Sequence, residues 1–138
     1  MFPVKDFMTK NPITVEEHTS IYDAIELLAT YKISGLPVVD KENRLVGVIS
    51  EWDVLHLLTD AEVNKNATVG DYMTRDVISF KEDDSAIDVC DFFKNSNKRR
   101  VPIVNDGKLV GIVSRHDIIK LILSMRKNVS EARDSKES

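Results

Sequence analysis

The hydrophobic residues of the chain form short apolar runs separated by polar turns, and the same arrangement occurs twice. The predicted strands are residues 13–15, 36–39 and 45–49 in the first half of the chain, and residues 77–80, 101–104 and 109–113 in the second. The turn Asn105-Asp106-Gly107 favours a β-hairpin, because Asp-Gly supplies the positive φ angles that tight turns require. Each half therefore predicts an entry strand followed by a two-stranded hairpin.

Amphipathic helices are predicted before and after each hairpin. Ser20 with Asp23, and Ser85 with Asp88, have the spacing of a capping box at a helix start. Apolar residues then recur every three or four positions, which places them on one helix face. The positions expected to face the core are Ile21, Ala24, Ile25 and Leu28, then Val54, Leu57 and Leu58, then Ile87, Cys90 and Phe93, and finally Ile118, Leu121, Ile122 and Met125.

The two halves are also related in sequence. Residues 4–9 return at 69–74, and residues 45–53 return at 109–117. Because a unit of about 60 residues has only a marginal core, we expect two βαββα repeats of α+β class to pack about a pseudo-twofold axis. The predicted organisation is repeat 1 at residues 1–60, a linker at 61–68, repeat 2 at 69–126 and a flexible polar tail at 127–138.

Composition places the chain among ordinary globular proteins. Hydrophobic residues make up 42% and charged residues 30%, and the net charge of −4 argues against non-specific nucleic-acid binding. Cys90, the single cysteine, cannot form an intrachain disulfide, so we expect a cytoplasmic protein. Its place in an apolar stripe favours a core role over a nucleophilic one. No apolar run approaches the roughly 20 residues that cross a bilayer, so no membrane span is expected.

A Gly-h-h-Ser-x-x-Asp motif, in which h is apolar, occurs at residues 47–53 and again at 111–117. Where a strand leads into a helix, a serine hydroxyl and free backbone N–H groups attract an anion such as phosphate. The aspartate can accept hydrogen bonds from two ribose hydroxyls, and the glycine permits close approach of a ligand. The motif predicts a nucleotide site. Its spacing is equally that of a capping box, so helix capping is the alternative interpretation.

Three consecutive cations, Lys98, Arg99 and Arg100, precede the buried strand of the second hairpin. Arginine offers bidentate geometry to phosphate, so this segment is a candidate phosphate clamp, although a solvated cationic edge explains it equally well. The first half has Ser34-Gly35 at the corresponding place. We therefore expect the second half to be the better site for a phosphorylated ligand.

No group of residues predicts catalysis or metal binding. His18, His56 and His116 lack mutual metal-ligand spacing, and one cysteine cannot complete a ligand set. We find no nucleophile–base pair, no phosphate-binding P-loop and no supported pair of catalytic acids. Trp52 and His116 occupy equivalent motif positions, and each is a candidate for ligand contact or for surface packing. We expect no enzymatic activity, no catalytic cofactor and no metal.

These motifs resemble those of tandem CBS-domain proteins, a family named for cystathionine β-synthase. The resemblance covers residues 1–125 and rests on Met8-Thr9 and Met73-Thr74, on the proline-containing strands and on the paired Gly-h-h-Ser-x-x-Asp motifs. It implies a Bateman module of two βαββα repeats, with clefts between the repeats for AMP, ADP, ATP or S-adenosylmethionine as a regulatory ligand. It also implies a homodimer, and an enzyme or transporter as the regulated partner.

Carried over by position, the resemblance implies two sets of ligand contacts, one in each repeat. The implied residues are Thr14, Val15, Gly35, Leu36, Pro37, Ser50 and Asp53 at the first site, and Ser79, Phe80, Arg99, Arg100, Val101, Pro102, Ser114 and Asp117 at the second.

The leading functional prediction is a stand-alone regulatory module that senses an adenosine ligand. The alternative is a ligand-free interaction or dimerisation scaffold whose Ser-x-x-Asp pairs only cap helices. Nucleotide hydrolysis has less support because no catalytic group is visible. Nucleic-acid binding through Arg99, Arg100 and Arg115 has less support because the chain is acidic overall.

Overall fold

The computed structural model describes residues 2–60 and 65–137, with side chains as far as Lys127. Its elements are a 3₁₀ turn (Val4–Asp6), β1 (Thr9–Lys10), α1 (Ile21–Tyr31), β2 (Gly35–Val39), β3 (Leu45–Ser50), α2 (Glu51–Thr59), α3 (Val69–Tyr72), β4 (Phe80–Lys81), α4 (Ala86–Lys94), β5 (Arg100–Asn105), β6 (Lys108–Ser114) and α5 (Arg115–Glu137). This order confirms the predicted α+β class with a helix on either side of each hairpin.

Each hairpin belongs to a sheet of its own. Strands β2 and β3 pair antiparallel, while the second sheet has the order β1-β6-β5-β4. Strand β4 lies parallel to β5 with Phe80 opposite Ile103, and a single parallel bridge between Val15 and Val38 occupies the equivalent place in the first half. The predicted strand at 13–15 thus shortens to one bridge, because only Val15 exchanges backbone hydrogen bonds with β2.

The opening segment of each repeat packs against the other repeat. We call residues 4–10 the first arm and residues 69–75 the second arm. In the first arm, Thr9 pairs with Ile112 of β6. In the second, Thr74 and Val48 of β3 exchange N–H···O bonds of 2.9 Å in both directions. The repeats are therefore interlocked, with each arm completing the sheet of its neighbour.

Burial and charge reinforce this exchange of arms. Val4 is fully buried in the core of the second repeat, and Val69 is fully buried in the core of the first. Lys5 pairs with Asp83 at 3.0 Å, and this hydrogen bond raises the pKa of Lys5. On the second arm, both terminal nitrogens of the Arg75 guanidinium donate to the Glu17 carboxylate, at 3.1 and 3.4 Å. These exposed ion pairs orient the arms, whereas the buried valines supply the stabilising apolar contact.

The helices before the hairpins bury one face each. In α1, Ile21, Ala24 and Leu28 are buried as predicted. In α4 the buried positions are Ala86, Val89 and Phe93, so the predicted stripe through Ile87, Cys90 and Phe93 is wrong in part. Ile87 is 56% exposed, because it lies a helical quarter-turn away from the face that meets the sheet.

The helices after the hairpins leave apolar residues in solvent. Leu57 and Ile118 are buried, but the predicted core positions Leu58 and Ile122 are 93% and 57% exposed, and Met125 is 39% exposed. We give the name apolar helix face to the six apolar residues of α2 and α5 that are more than half exposed, which are Trp52, Leu55, Leu58, Ile119, Ile122 and Leu123.

The last helix extends into the segment 127–138 that the sequence predicts as a polar tail. Helix α5 continues to Glu137. No proline or glycine occurs after Gly111, so nothing in the sequence stops the helix. In the predicted linker, residues 61–64 lie outside the described part of the chain. Within the described residues, no helix combines the length and apolarity needed to cross a membrane.

Candidate functional site

The first Gly-h-h-Ser-x-x-Asp motif forms the junction between β3 and α2. Ser50 is the N-cap, and its hydroxyl accepts a bond from the backbone N–H of Asp53 at 3.3 Å. In return, Asp53 Oδ2 accepts bonds from the backbone N–H and the hydroxyl of Ser50, both 2.9 Å long. The motif is therefore a complete capping box. Ser20 and Ser85, which we predicted to form such boxes with Asp23 and Asp88, instead cap through the N–H two residues on.

A threonine from the opposite arm binds each motif aspartate. Thr74 Oγ1 donates to Asp53 Oδ1 at 3.0 Å. The equivalent bond runs from Thr9 Oγ1 to both oxygens of Asp117, at 3.3 Å. Lys120 Nζ lies 3.5 Å from Asp117, whose residue is only 3% exposed. The two aspartates thus connect the repeats, and the Met-Thr pairs seen in the sequence supply the partners.

The motif glycines make room for the arms. A Cβ at Gly47 would lie 2.5 Å from the carbonyl oxygen of Thr74, and one at Gly111 would lie 2.6 Å from Met8 Sδ and 2.9 Å from the carbonyl oxygen of Thr9. The expectation that these glycines admit a ligand is therefore wrong. Glycine is required because the backbone of the other repeat occupies the space that a side chain would need.

A cavity of about 560 Å³ opens beside Asp53, and we call it the Asp53 cavity. Its size is within the range of small-molecule sites. Its walls come from both repeats: Ser34, Gly35, Val48, Ser50, Glu51, Trp52, Asp53, Thr74, Asp76, Val77, Ile78, Phe92, Ser96, Asn97, Lys98, Arg99, Arg100 and Pro102. The cavity combines a hydrogen-bonding corner at Asp53, an apolar wall and a cationic segment. Asp53 itself is only 6% exposed.

A second cavity, of about 600 Å³, lies beside Ser114, and we call it the Ser114 cavity. Its walls are Leu28, Ala29, Lys32, Ile33, Ser34, Glu51, Arg99, Arg100, Ser114, Arg115 and His116. The two cavities share Ser34, Glu51, Arg99 and Arg100. The Ser114 cavity combines Ser114 with residues 32–34, which precede β2, and the Asp53 cavity combines Ser50 with residues 97–100, which lead into β5. Each cavity thus joins the Gly-h-h-Ser-x-x-Asp motif of one repeat to the hairpin entry of the other, as a pseudo-twofold axis requires.

Arg99 and Arg100, which we call the arginine pair, are available to an anion. Arg99 is exposed and Arg100 is half-buried. Neither guanidinium has a hydrogen-bond or ion-pair partner among the residues that the structure describes. Because the pair lines both cavities, its charge is not confined to the second repeat. The Ser114 cavity is nevertheless the more cationic, since Lys32 and Arg115 join the pair there against the single acid Glu51.

The structure groups the candidate residues differently from the sequence prediction. We assigned one site to each repeat, with Asp53 in one and the arginine pair in the other. The structure instead places them in one cavity, because the repeats face each other across the axis. The Asp53 cavity takes in Gly35, Ser50, Asp53, Arg99, Arg100 and Pro102, and the Ser114 cavity takes in Arg99, Arg100 and Ser114.

The remaining candidates lie outside the walls of both cavities. Leu36 and Val101 are core residues with exposures of 0% and 1%. Phe80 packs edge-on against Phe92, with ring centroids 5.8 Å apart. Asp117 faces the first arm. The full set outside the two walls is Thr14, Val15, Leu36, Pro37, Ser79, Phe80, Val101 and Asp117.

Sequence reasoning missed several wall residues. Val77 and Ile78 line the Asp53 cavity where we expected Ser79 and Phe80, and Phe92 adds an aromatic ring. The predicted entry strand at residues 77–80 already contained Ile78. A run of four residues is too short to show which of its side chains face the cavity. No group of three or more histidine, cysteine, aspartate or glutamate side chains in the described part of the chain could hold a metal ion.

The fold and the paired motifs define a tandem repeat module of one known family. The CBS domain family matches the chain twice, over residues 4–60 and 69–124. The chain belongs to the CBS domain family. The prediction of a tandem CBS protein is thereby confirmed.

Proteins similar to this chain include both solved structures and curated relatives. The crystal structure of CBSX2 in complex with AMP has 33% identity and a TM-score of 0.82, covering 91% of this chain and 99% of that one. The CBS domain pair of protein MJ0100, in complex with 5′-methylthioadenosine and S-adenosyl-L-methionine, has 35% identity and a TM-score of 0.77, covering 91% and 98%. Uncharacterized protein MJ1225 of Methanocaldococcus jannaschii is 39% identical over 87% of this chain.

The chain is much shorter than several of its relatives. It spans 42%, 25% and 23% of the lengths of the three Methanocaldococcus jannaschii proteins that match it at 39% identity.

Proposed function

We propose that the chain is a regulatory module that binds an adenosine-containing ligand, such as AMP, ADP, ATP or S-adenosylmethionine, in the Asp53 cavity. The observation that carries the proposal is the combination, in one cavity, of a motif carboxylate, an apolar wall and two arginines whose guanidinium groups have no partner among the described residues. The similar structures that hold AMP, or methylthioadenosine with S-adenosyl-L-methionine, support the same ligand class.

The chemistry of the cavity suggests how each part of the ligand binds. Val77 and Ile78 offer an apolar surface for the adenine ring, and Trp52 is placed beside it. The arginine pair provides donors in a planar fork that suits phosphate, or the carboxylate of S-adenosylmethionine. Phosphates beyond the first would extend towards the Ser114 cavity, where Lys32 and Arg115 add positive charge.

Ribose binding at Asp53 connects the ligand to the second arm. Asp53 accepts three hydrogen bonds, two from Ser50 and one from Thr74. A carboxylate offers about four acceptor positions. A ribose that brings two hydroxyls therefore takes the free position and competes with Thr74 for another. Loss of the Thr74 bond loosens the second arm, which holds the two repeats together. Ligand binding would in this way change the conformation that a partner protein meets.

We assign the sequence-predicted contacts accordingly. Gly35, Ser50, Asp53, Arg99, Arg100 and Pro102 are proposed contacts in the Asp53 cavity, and Ser114 is a proposed contact in the Ser114 cavity. The candidates that line neither cavity are proposed to support the cavity walls from the layer beneath, and these are Thr14, Val15, Leu36, Pro37, Ser79, Phe80 and Val101. Asp117 is proposed to bind a second ribose only after Thr9 is displaced.

The proposed module acts without catalysis, as a cytoplasmic homodimer that regulates an enzyme or transporter. The apolar helix face supports the homodimer, because large exposed apolar side chains such as those on α2 and α5 often mark a protein interface. The domain limits that we propose are the repeats at 1–60 and 69–126, since the family match follows the same division.

Calorimetric titration with AMP, ADP, ATP and S-adenosylmethionine tests the proposal. We expect saturable binding of at least one ligand and a loss of about tenfold or more in affinity for Asp53→Asn, because a neutral amide accepts ribose hydroxyls less well. Asp71→Asn is the matched control, since Asp71 also closes a capping box, with Thr68, but lies outside both cavities. Equal affinities of the two variants would remove Asp53 from the site.

The scaffold alternative is favoured by one observation, namely that both motif aspartates already bind the protein itself. It predicts no heat with any of the four ligands. It also predicts that Asp53→Asn lowers the melting temperature without any other effect. If none of the four ligands binds, the scaffold function is therefore favoured over the ligand sensor.

A further inference from the structure

Two of the three cations that line the Asp53 cavity, Lys98 and Arg99, lie on the loop between α4 and β5, and Arg100 is the first residue of β5. This loop begins at Asn95, whose backbone N–H bonds the carbonyl oxygens of Asp91 and Phe92 at the end of α4. Lys98 is exposed, as is Arg99. Adjacent like charges repel each other, so an unsupported loop of this composition would hold its cations in no fixed direction.

One side chain from the second motif braces this loop. Arg115 Nε donates to the carbonyl oxygen of Lys98 at 3.0 Å, and Arg115 Nη2 donates to those of Ser96 at 3.2 Å and Phe93 at 3.3 Å. The guanidinium carbon also lies 5.9 Å from the centre of the Phe93 ring. A single planar group thus bonds the last turn of α4 and two points of the loop, where carbonyl oxygens carry partial negative charge.

The first repeat has no side-chain bridge like that of Arg115 among the described residues. Glu51 occupies the equivalent place in the first motif, and its backbone N–H donates to the carbonyl oxygen of Ser34 as that of Arg115 does to Arg99. The Glu51 side chain makes no comparable bridge among the described residues. Both backbone bonds are part of the common fold, so the Arg115 guanidinium is an addition specific to the second half.

We propose that Arg115 is a positioning residue that fixes the 95–99 loop and aims Arg99, beside Arg100 at the start of β5, at a ligand phosphate, so that it determines discrimination between phosphorylated and unphosphorylated adenosine ligands. The inference rests on the proposed function, because it concerns how the same cavity distinguishes AMP from adenosine. Arg115 acts through Arg99, and its own guanidinium donates to backbone carbonyls.

Calorimetry with AMP and with adenosine tests the assignment. For Arg115→Gln we expect AMP affinity to fall about tenfold and adenosine affinity to change less than about twofold. Arg115→Lys should resemble Arg115→Gln, because a single ammonium cannot bridge three carbonyls in the geometry of a guanidinium. Amide exchange at residues 95–99 should accelerate in both variants. Arg126→Gln, an exposed position on α5, is the control and should leave AMP binding unchanged.

A double-mutant cycle separates positioning from direct contact. In an Arg99→Gln/Arg100→Gln background, Arg115→Gln should lower AMP affinity by less than about twofold, since nothing remains to be aimed. Additive losses, or rescue of AMP binding by Arg115→Lys, would overturn the positioning role. Unchanged AMP preference in Arg115→Gln would overturn it while leaving the proposed function intact. A wild-type protein that binds neither AMP nor adenosine would overturn this inference, and one that also binds none of ADP, ATP and S-adenosylmethionine would overturn the proposed function with it.

Discussion

Replacing Gly47 with alanine tests the interlocking of the repeats, because the position has no room for a side chain. The added Cβ would lie 2.5 Å from the carbonyl oxygen of Thr74 and would overlap the terminal methyl group of Met73. The second arm must then withdraw by about 1 Å to reach ordinary van der Waals separation. Withdrawal weakens the two backbone bonds between Val48 and Thr74, and with them the Thr74 bond to Asp53.

The expected cost is large for one methyl group. Overpacking of a filled site costs about 1–3 kcal/mol, and each weakened hydrogen bond adds about 1 kcal/mol at most. Together these effects lower the free energy of unfolding by roughly 3–5 kcal/mol, a substantial part of the total for a domain of this size. The melting temperature should fall by about 10–20 °C.

Thermal and urea unfolding, followed by circular dichroism, measures this cost. Gly35→Ala is the matched control, since Gly35 is also a buried strand glycine but its added Cβ would meet nothing closer than 3.4 Å. The control should cost less than about 1 kcal/mol. If Gly47→Ala is as stable as Gly35→Ala, the arm does not fill the space beside Gly47 and the interlocking is refuted.

Three other changes test separate parts of the structure. Thr74→Val removes the hydroxyl bonded to Asp53 and should lower the free energy of unfolding by about 1–2 kcal/mol in urea titrations, while Thr74→Ser should retain most of it. Trp52 is the single tryptophan and lines the Asp53 cavity, so AMP should change its fluorescence, and an unchanged spectrum at saturation would place the ligand elsewhere. Leu58→Glu puts a charge in the apolar helix face and should convert a dimer to monomers in light scattering, whereas Glu51→Gln should not.

Local patterns predicted most of the secondary structure. The hairpins follow from apolar runs around turn residues, and α1 begins at the predicted Ser20 cap with its predicted face buried. The exchange of arms could not be predicted, because Thr9 and Thr74 have nearly the same neighbours in sequence and either repeat offers an equivalent partner. The exposure of Leu58 was missed because α2 is apolar on more than one side, so periodicity alone does not show which side meets the core.

The candidate site was predictable in its components but not in their grouping. Ser50 and Asp53 line the same cavity as the arginine pair, which lies more than forty residues further along the chain in the other repeat. Sequence symmetry suggested one site per repeat, whereas packing about the axis brings each motif against the other repeat. The role of Arg115 was also missed, because a bond from a side chain to backbone carbonyls leaves no pattern in the sequence.

A crystal structure of the protein with AMP would test the central claim most directly. The account predicts the ribose hydroxyls on Asp53, the adenine ring against Ile78 and the phosphate on Arg99 and Arg100, with the Thr74 hydroxyl displaced from Asp53. AMP bound outside the Asp53 cavity, or an empty cavity at saturating AMP with the Thr74 bond unchanged, would contradict it.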